Sequence, residues 1–577
     1  MSPLRYDITL ERDVPMRMRD DVVLYSDIYR PRGDGPFPVI LMRLPYDKTA
    51  AETSPYAHPS WYARHGYIVV IQDCRGRWKS EGEWYPFFNE GPDGYDTVQQ
   101  MAQLPGSNGK VGMYGASYPG ATQLFAATEQ APGLTCICPA IPPTDFYQAC
   151  FYEGGALHLA LAANWSMFVA TDSARRVGRA DIHQQLGNAG RNSHDWYWHL
   201  PLNEFPPLLD SDLAPFWFDW LQHSRDDEYW QTINLMRRLD KVQVPALHIG
   251  GWYDIFVDTT LKSYAKIASE GDGEAARNGQ RLIVGPWYHH PWSPQVGEVN
   301  FGPSASSQIV DDTQVRFYDQ HLKGVDDGIG QEPPVMLFVM GENRWRDEQE
   351  WPLKRAVATP YYFHSAGNAN SMFGDGTLAP VPPQEEPYDV YVYDPRSPSI
   401  SRGGHSCCFE SLVPQGAYDQ RPVEVWKDTL CYTSEPLDAP LEVTGHVTVA
   451  LWAATSAVDT DWVAKLVDVY PDGRAINLTE GILRARFRGG FAQEQLLERD
   501  EIYQYEINLR ATSNVFLPGH RIRVDVSSSS FPHWDRNPNS GQPMGTATVL
   551  DVQTATQTVF HDRARPSHIV LPVVPRR

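Results

Sequence analysis

Residues 110–120, KVGMYGASYPG, leave little freedom to the chain that contains them. An apolar run that reads as a buried strand enters Gly115-Ala116-Ser117-Tyr118-Pro119-Gly120. A helix-prone stretch, residues 118–129 (YPGATQLFAATE), follows at once. So tight a turn strains its serine, and small residues must flank it for the strand and helix backbones to pass. Gly115 fits that need. Pro119 stands where the usual G-x-S-x-G has its second glycine, with Gly120 one step later. Proline is tolerated in the first turn of a helix, where its missing N–H would have had no partner. The five-residue string should arise by chance about 0.2 times in a chain this long, so its flanks and the residues downstream carry the argument.

Around this turn the pattern is consistent. Residues 39–44 (VILMRL), 67–72 (YIVVIQ), 111–114 and 134–138 read as buried strands, and residues 94–104 read as a helix. Strands alternating with helices predict a parallel sheet covered on both faces. Residues 13–29, with a polar turn at Arg19, Asp20 and Asp21, read as an antiparallel ribbon. From about 143 to 240 the strand signal gives way to helix-prone sequence dotted with aromatics, Trp165 among them. It resumes at 244–250 (VPALHIG) and 281–285 (RLIVG). A helical insert between strands of one sheet is a cap, and caps cover the carboxyl ends of the strands, where open α/β sheets bind ligands. Past residue 350, runs such as 389–393 (DVYVY), 443–452, 462–470 and 521–527 alternate with turn residues, which predicts an antiparallel sandwich of the jelly-roll kind. The expected class is therefore α/β: a hydrolase-type core from 1–142 and 241–350, a helical cap from 143–240 and a β-sandwich from 351–577. With 577 residues, 42% of them hydrophobic, the chain can fill two cores.

A serine hydroxyl is a weak nucleophile at neutral pH and needs a base, itself oriented by an acid. In a sheet of this kind the order along the chain is Ser, then Asp or Glu, then His, each just beyond a strand. The strand at 244–250 ends in Gly251-Trp252-Tyr253-Asp254, and the strand at 281–285 runs into Pro286-Trp287-Tyr288-His289-His290. Ser117, Asp254 and His289 are the candidate triad. Asp258, a helical turn further on, ranks below Asp254, and His290 is the alternative to His289. Two donors should face the developing oxyanion: the backbone N–H of Tyr118, and one from the loop Pro45-Tyr46-Asp47-Lys48. Adjacent histidines invite a metal, but no third ligand has a readable spacing, so no metal or cofactor is expected. Seven cysteines, including adjacent Cys407 and Cys408, read as buried or incidental thiols rather than a disulfide framework. Asp73 and Arg75 read as a structural pair beside the site.

Forty-nine basic against 71 acidic residues give a net charge of −22, a field that repels polyphosphate and argues against nucleic acid as a partner. No apolar run is long enough to span a bilayer. The start, Met1-Ser-Pro-Leu, has no basic segment leading into an apolar one, so a cytoplasmic place is expected. The expected partner is a small-molecule ester or amide; a homo-oligomer is compatible with this composition.

Tyr46 in PYDK, QDCRGRWKSEGEW at 72–84, NGKVGMYGASYPG, GGWYD and GPWYHH together resemble the family of cocaine esterases and X-prolyl dipeptidyl-peptidases. DTDWVAKLVD at 459–468, PGHRIRV at 518–524 and SFPHWDRN at 530–537 resemble its jelly-roll domain. The resemblance covers nearly the whole chain. It implies the core, cap and sandwich already outlined, assigns Ser117, Asp254 and His289 as triad, and makes the Tyr46 hydroxyl the second oxyanion donor. Relatives that hydrolyse α-amino acid esters place carboxylates shortly after the triad acid; Ile255 and Phe256 stand there in this chain. Asp145 resembles another carboxylate they use, and its local role is to cap the first cap helix. An acyl group is expected to sit among Phe256 and cap aromatics such as Trp165. The expected activity is ester hydrolysis through an acyl-enzyme on Ser117. The alternative is an amidase or peptidase, either an X-Pro dipeptidyl-peptidase or a β-lactam acylase.

Overall fold

The computed structural model describes residues 5–53, 55–209, 213–409 and 411–575. Residues 1–4, on which the expectation about the start of the chain rests, lie outside them. Ten strands form the first sheet: β1 (Ile8–Arg17), β2 (Val23–Pro31), β3 (Phe37–Leu44), β4 (Ile68–Asp73), β5 (Ser107–Ala116), β6 (Leu134–Ala140), β7 (Ala246–Gly251), β8 (Gln280–Gly285), β9 (Val335–Val339) and β10 (Arg344–Glu348). Their order across the sheet is β1-β2-β4-β3-β5-β6-β7-β8-β9-β10. Strands β3 to β9 run parallel; β1, β2 and β10 are antiparallel additions at the two edges.

The continuous apolar runs have a direct cause. Successive strand residues point to opposite faces, and here both faces are covered. Val39, Leu41, Ile68, Val70, Val111 and Met113 join one apolar cluster with the helices Glu90–Ala102 and Tyr118–Thr128. Ile40, Met42, Val69, Ile71 and Tyr114 join another with Tyr62 and with Val315 and Phe317 of the helix Gln308–Tyr318.

Between β6 and β7 the chain leaves the sheet for a helical cap that includes Leu159–Arg176, Ala180–Arg191, Pro215–Gln222 and Glu228–Ile233. The cap is not free of strand. Tyr152–Glu153 pairs with Ala156–Leu157 across Gly154 and Gly155, both at positive φ. Two-residue strands are too short to show an alternation in sequence. The hairpin exists because Gly154 lies against the backbone of Ile482, where any Cβ would sit 1.9 Å from the carbonyl oxygen.

Beyond β10, twelve strands from Val357–His364 to His568–Val574 form one connected β network. It is antiparallel except for a single pairing, Thr377 with Thr433. Leu441–Thr455 pairs along its length with Tyr503–Phe516. The apolar core of this domain also takes in Trp252, Tyr253 and Val257, residues that follow β7. The sheet and the β-rich domain therefore share buried surface directly behind the loop that carries Asp254.

Candidate active site

Three loops at one rim of the sheet supply the candidate residues, and each is positioned by a local device. The first is the turn after β5. Ser117 sits at φ 66° and ψ −125° as the residue before the helix Tyr118–Thr128, and its N–H donates to Ala140 O at 3.0 Å. Backbone strain of this kind persists only where the surroundings enforce it. A Cβ on Gly115 would lie 2.4 Å from Pro119 Cβ, and one on Gly120 would lie 2.5 Å from Ala140 O. Gly120 thus meets a steric need that the displaced motif hid: it lets the helix pass the end of β6. Tyr118 opens the helix, so its N–H has no intrahelical acceptor and faces outward as a donor.

The second and third devices are joined. Trp252 N donates to Gly285 O at 2.8 Å and Tyr253 N to Trp287 O at 3.0 Å, which zips the loop after β7 to the loop after β8. The approach needs glycine on both strands: a Cβ at 251 would meet Trp287 O at 2.3 Å, and one at 285 would meet the Trp287 ring at 2.4 Å. Zipped this way, the loops bring His289 Nδ1 within 2.6 Å of Asp254 Oδ2. Both side chains are wholly buried. Phe256 N donates to the other carboxylate oxygen at 2.7 Å, and the Phe256 ring stands edge-on to the imidazole at 5.3 Å. Asp258 faces elsewhere, toward Asn508 at 2.9 Å and Lys262 at 3.4 Å. His290 packs against His289 at 4.6 Å, and burial holds its imidazole well below the usual histidine range.

Among the described residues no hydrogen bond joins the Ser117 hydroxyl to the ring, and His289 Nε2 is buried without a partner. Catalytic hydrogen bonds are often open before substrate binds and close in the complex. The geometry leaves one imidazole nitrogen anchored and the other uncommitted.

Tyr46 follows β3. Its hydroxyl accepts from Trp165 Nε1 at 3.0 Å, which leaves its own proton to give. Burial drives its acidity far below that of an ordinary phenol, so it stays protonated. Two groups that sequence reasoning missed or misplaced hold its loop. Asp73 does not pair with Arg75; it accepts from Lys48 N at 2.7 Å and lies 3.4 Å from Lys48 Nζ. Arg75 instead binds Asp93 at 2.6 Å and Asp20 at 2.7 Å. Neighbours in sequence pointed apart because Asp73 closes β4 while Arg75 has already turned away. Burial pushes the Asp73 carboxyl up to about 6, with Lys48 opposing. Arg77, buried over the Trp84 ring at 4.5 Å, donates to Pro45 O at 3.1 Å. Nothing local in QDCRGRW announces that contact.

Trp165 is buried in an aromatic cluster with Trp84 at 5.7 Å and with Phe151, Phe216 and Trp220 at 6.0 Å. Asp145 accepts from Gln148 N at 2.9 Å, the N-terminal cap of the turn Phe146–Phe151. The reading of all seven cysteines as free thiols is overturned: Cys407 and Cys408 form a disulfide, and the other five are free and buried. Spacing rules for paired cysteines do not address a bond between neighbours.

Comparison with known proteins gives the chain its relatives. The sequence model of the X-Pro dipeptidyl-peptidase S15 family matches residues 20–291, and that of the X-Pro dipeptidyl-peptidase C-terminal non-catalytic domain matches residues 327–570. The chain is 40% identical over 582 residues to a cocaine esterase from Rhodococcus sp. (strain MB1 Bresler), covering 98% of both chains. An α-amino acid ester hydrolase structure superposes with a TM-score of 0.80 at 27% identity, over 99% of this chain and 97% of that one. An aminopeptidase from a marine sediment Thaumarchaeota archaeon superposes with a TM-score of 0.82 at 27% identity, over 100% and 98%.

Proposed function

We propose, for a chain that belongs to the X-Pro dipeptidyl-peptidase (S15) family, that it is a serine esterase in which Ser117 attacks the ester carbonyl, His289 takes and returns the proton, and Asp254 orients His289. The observation that carries this reading is the buried Asp254–His289 pair at 2.6 Å with Nε2 left uncommitted, at the same sheet rim as the strained Ser117 turn. Asp254 fixes Nδ1 as the protonated nitrogen and stabilises the imidazolium formed when the serine proton arrives. The carbonyl oxygen, becoming an alkoxide, is met by the Tyr118 N–H and the Tyr46 hydroxyl. Collapse of the first tetrahedral intermediate expels the alcohol, protonated by His289. Water then repeats the attack on the acyl-enzyme and releases the acid and Ser117.

Esters are favoured over amine-terminated peptides by what stands next to the triad. An α-ammonium group needs a carboxylate to replace its water. Ile255 and Phe256 are buried and apolar, and Asp145, the carboxylate the sequence offers for that role, is engaged in capping. Among the described residues no helix is long and apolar enough to cross a membrane.

Labelling with a fluorophosphonate probe, then a matched panel of aryl esters, anilides and X-Pro amides, tests both parts. Labelling that survives Ser117→Ala removes the nucleophile from its role. Faster cleavage of X-Pro amides than of matched esters replaces the esterase with a peptidase.

A further inference from the structure

Residues of the β-rich domain reach the candidate site. Residues 405–413 read HSCCFESLV. His405 Nε2 lies 2.9 Å from Trp252 O, in the loop that carries Asp254. Cys407 and Val413 are buried in the same apolar cluster as Trp165 and Phe256. Cys407 is buried and Cys408 exposed, and a disulfide joins them. Their two sulphur atoms and a ring nitrogen of His289 all lie within 4.8 Å of one another. Asp254 engages Nδ1, so the nitrogen available to a further partner is Nε2, which is buried and has no hydrogen-bond partner.

We infer that Cys407, Cys408 and His289 form, once the disulfide is reduced, a binding site for a soft divalent cation such as zinc or cadmium, and that a cation there switches the hydrolase off. Two thiolates and a neutral imidazole are a donor set such ions prefer, and a tetrahedral ion holds its ligand atoms roughly 3.5–3.8 Å apart. Opening the S–S bond lets the sulphurs part to that separation, and the cluster is already compact enough to close on it. Asp254 behind Nδ1 is the carboxylate partner that orients and strengthens a metal-binding histidine. The fourth position stays open to water. Reduction takes two electrons from a phosphine, which leaves as its oxide with an oxygen from water, and yields two thiols. Each thiol releases one proton as it takes the cation. A cation on Nε2 removes the lone pair that would accept the serine proton. Only this inhibitory half rests on the proposed role of His289; binding does not.

The test uses the full chain, either oxidised or reduced with a phosphine and desalted without oxygen. Cadmium binding is read from its thiolate charge-transfer absorption, and zinc inhibition from hydrolysis of an activated aryl ester. Reduced protein should bind one cadmium per chain and lose at least about tenfold activity with a small excess of zinc, restored by a chelator. Oxidised protein and the Cys407→Ser, Cys408→Ser double variant should show neither response. His289→Ala should keep the cadmium band but bind at least about tenfold more weakly. The inference is overturned if the reduced protein gives no band, if the double variant binds as well, or if zinc inhibits oxidised and reduced protein alike. A protein that never turns over esters would sink the proposed function, while the cadmium titration would still decide the site.

Discussion

The rim of the sheet and the seam between cap and β-rich domain both bury charge, and they do so to opposite ends. At the rim, a single carboxylate–imidazole pair stands with one nitrogen uncommitted. At the seam, charge is matched: Glu153 accepts from Arg510, from Trp534 Nε1 at 3.2 Å and from His158 at 3.1 Å. Arg484 there bridges Asp461 at 2.9 Å and Asp535 at 3.0 Å. A carboxylate held by several donors has little left to offer a substrate, whereas an imidazole nitrogen facing the nucleophile turn can still take a proton. On the proposed reading the paired carboxylates and guanidinium groups of the seam hold shape, and the chemistry falls to the rim.

Several substitutions would break or sharpen that contrast. Ser117→Ala should lower turnover of an activated aryl ester by about 10⁴-fold or more with the fold intact; a modest loss would move the nucleophile. Glu153→Ala at the seam should cost about 3–5 kcal/mol of stability by stranding Arg510. Chemical denaturation reads that loss, and a shift under about 1 kcal/mol would mean the seam is not braced by charge. Tyr46→Phe should slow turnover by about 10²–10³-fold with little change in stability; an unchanged rate would place the second oxyanion donor elsewhere.

A further test is pH. Burial pushes His158 and His248 down to about 4 and His405 down to about 3, against about 6.5 in an unfolded chain. Protons then bind the unfolded chain first, so stability is fully present above pH ~6.5 and is lost as pH falls toward ~4. Thermal unfolding should move down by several degrees across that window. A Tm that is flat or rises on acidification would contradict the buried, neutral state of these rings.

The rim was legible in sequence because its signals are local. Gly115-Ala116-Ser117 announces its own turn, and Asp254 and His289 each follow an apolar run within a few residues. The strands were legible for the same reason, since continuous apolar runs are what burial on two faces demands. The partners of Asp73 and Arg75 were not, because charge pairing is settled by where a strand ends in space. The Cys407–Cys408 bond and its approach to His289 depend on a domain that begins some distance beyond that histidine, and no spacing rule spans that gap. The hairpin at Tyr152–Leu157 exists only against Ile482.

The seam has one more consequence. Ala160 N donates to Pro532 O at 3.0 Å, Arg484 N to Gly154 O at 2.7 Å and Leu157 N to Asp535 Oδ1 at 2.8 Å, so the cap is riveted to the β-rich domain. It cannot swing open as a unit without breaking those links, two of them between main chains. What can still move beside Tyr46 is a single ring such as Phe168, which is half exposed and 6.0 Å from the Tyr46 ring. Such rotations are over in nanoseconds, far faster than any movement of a whole cap.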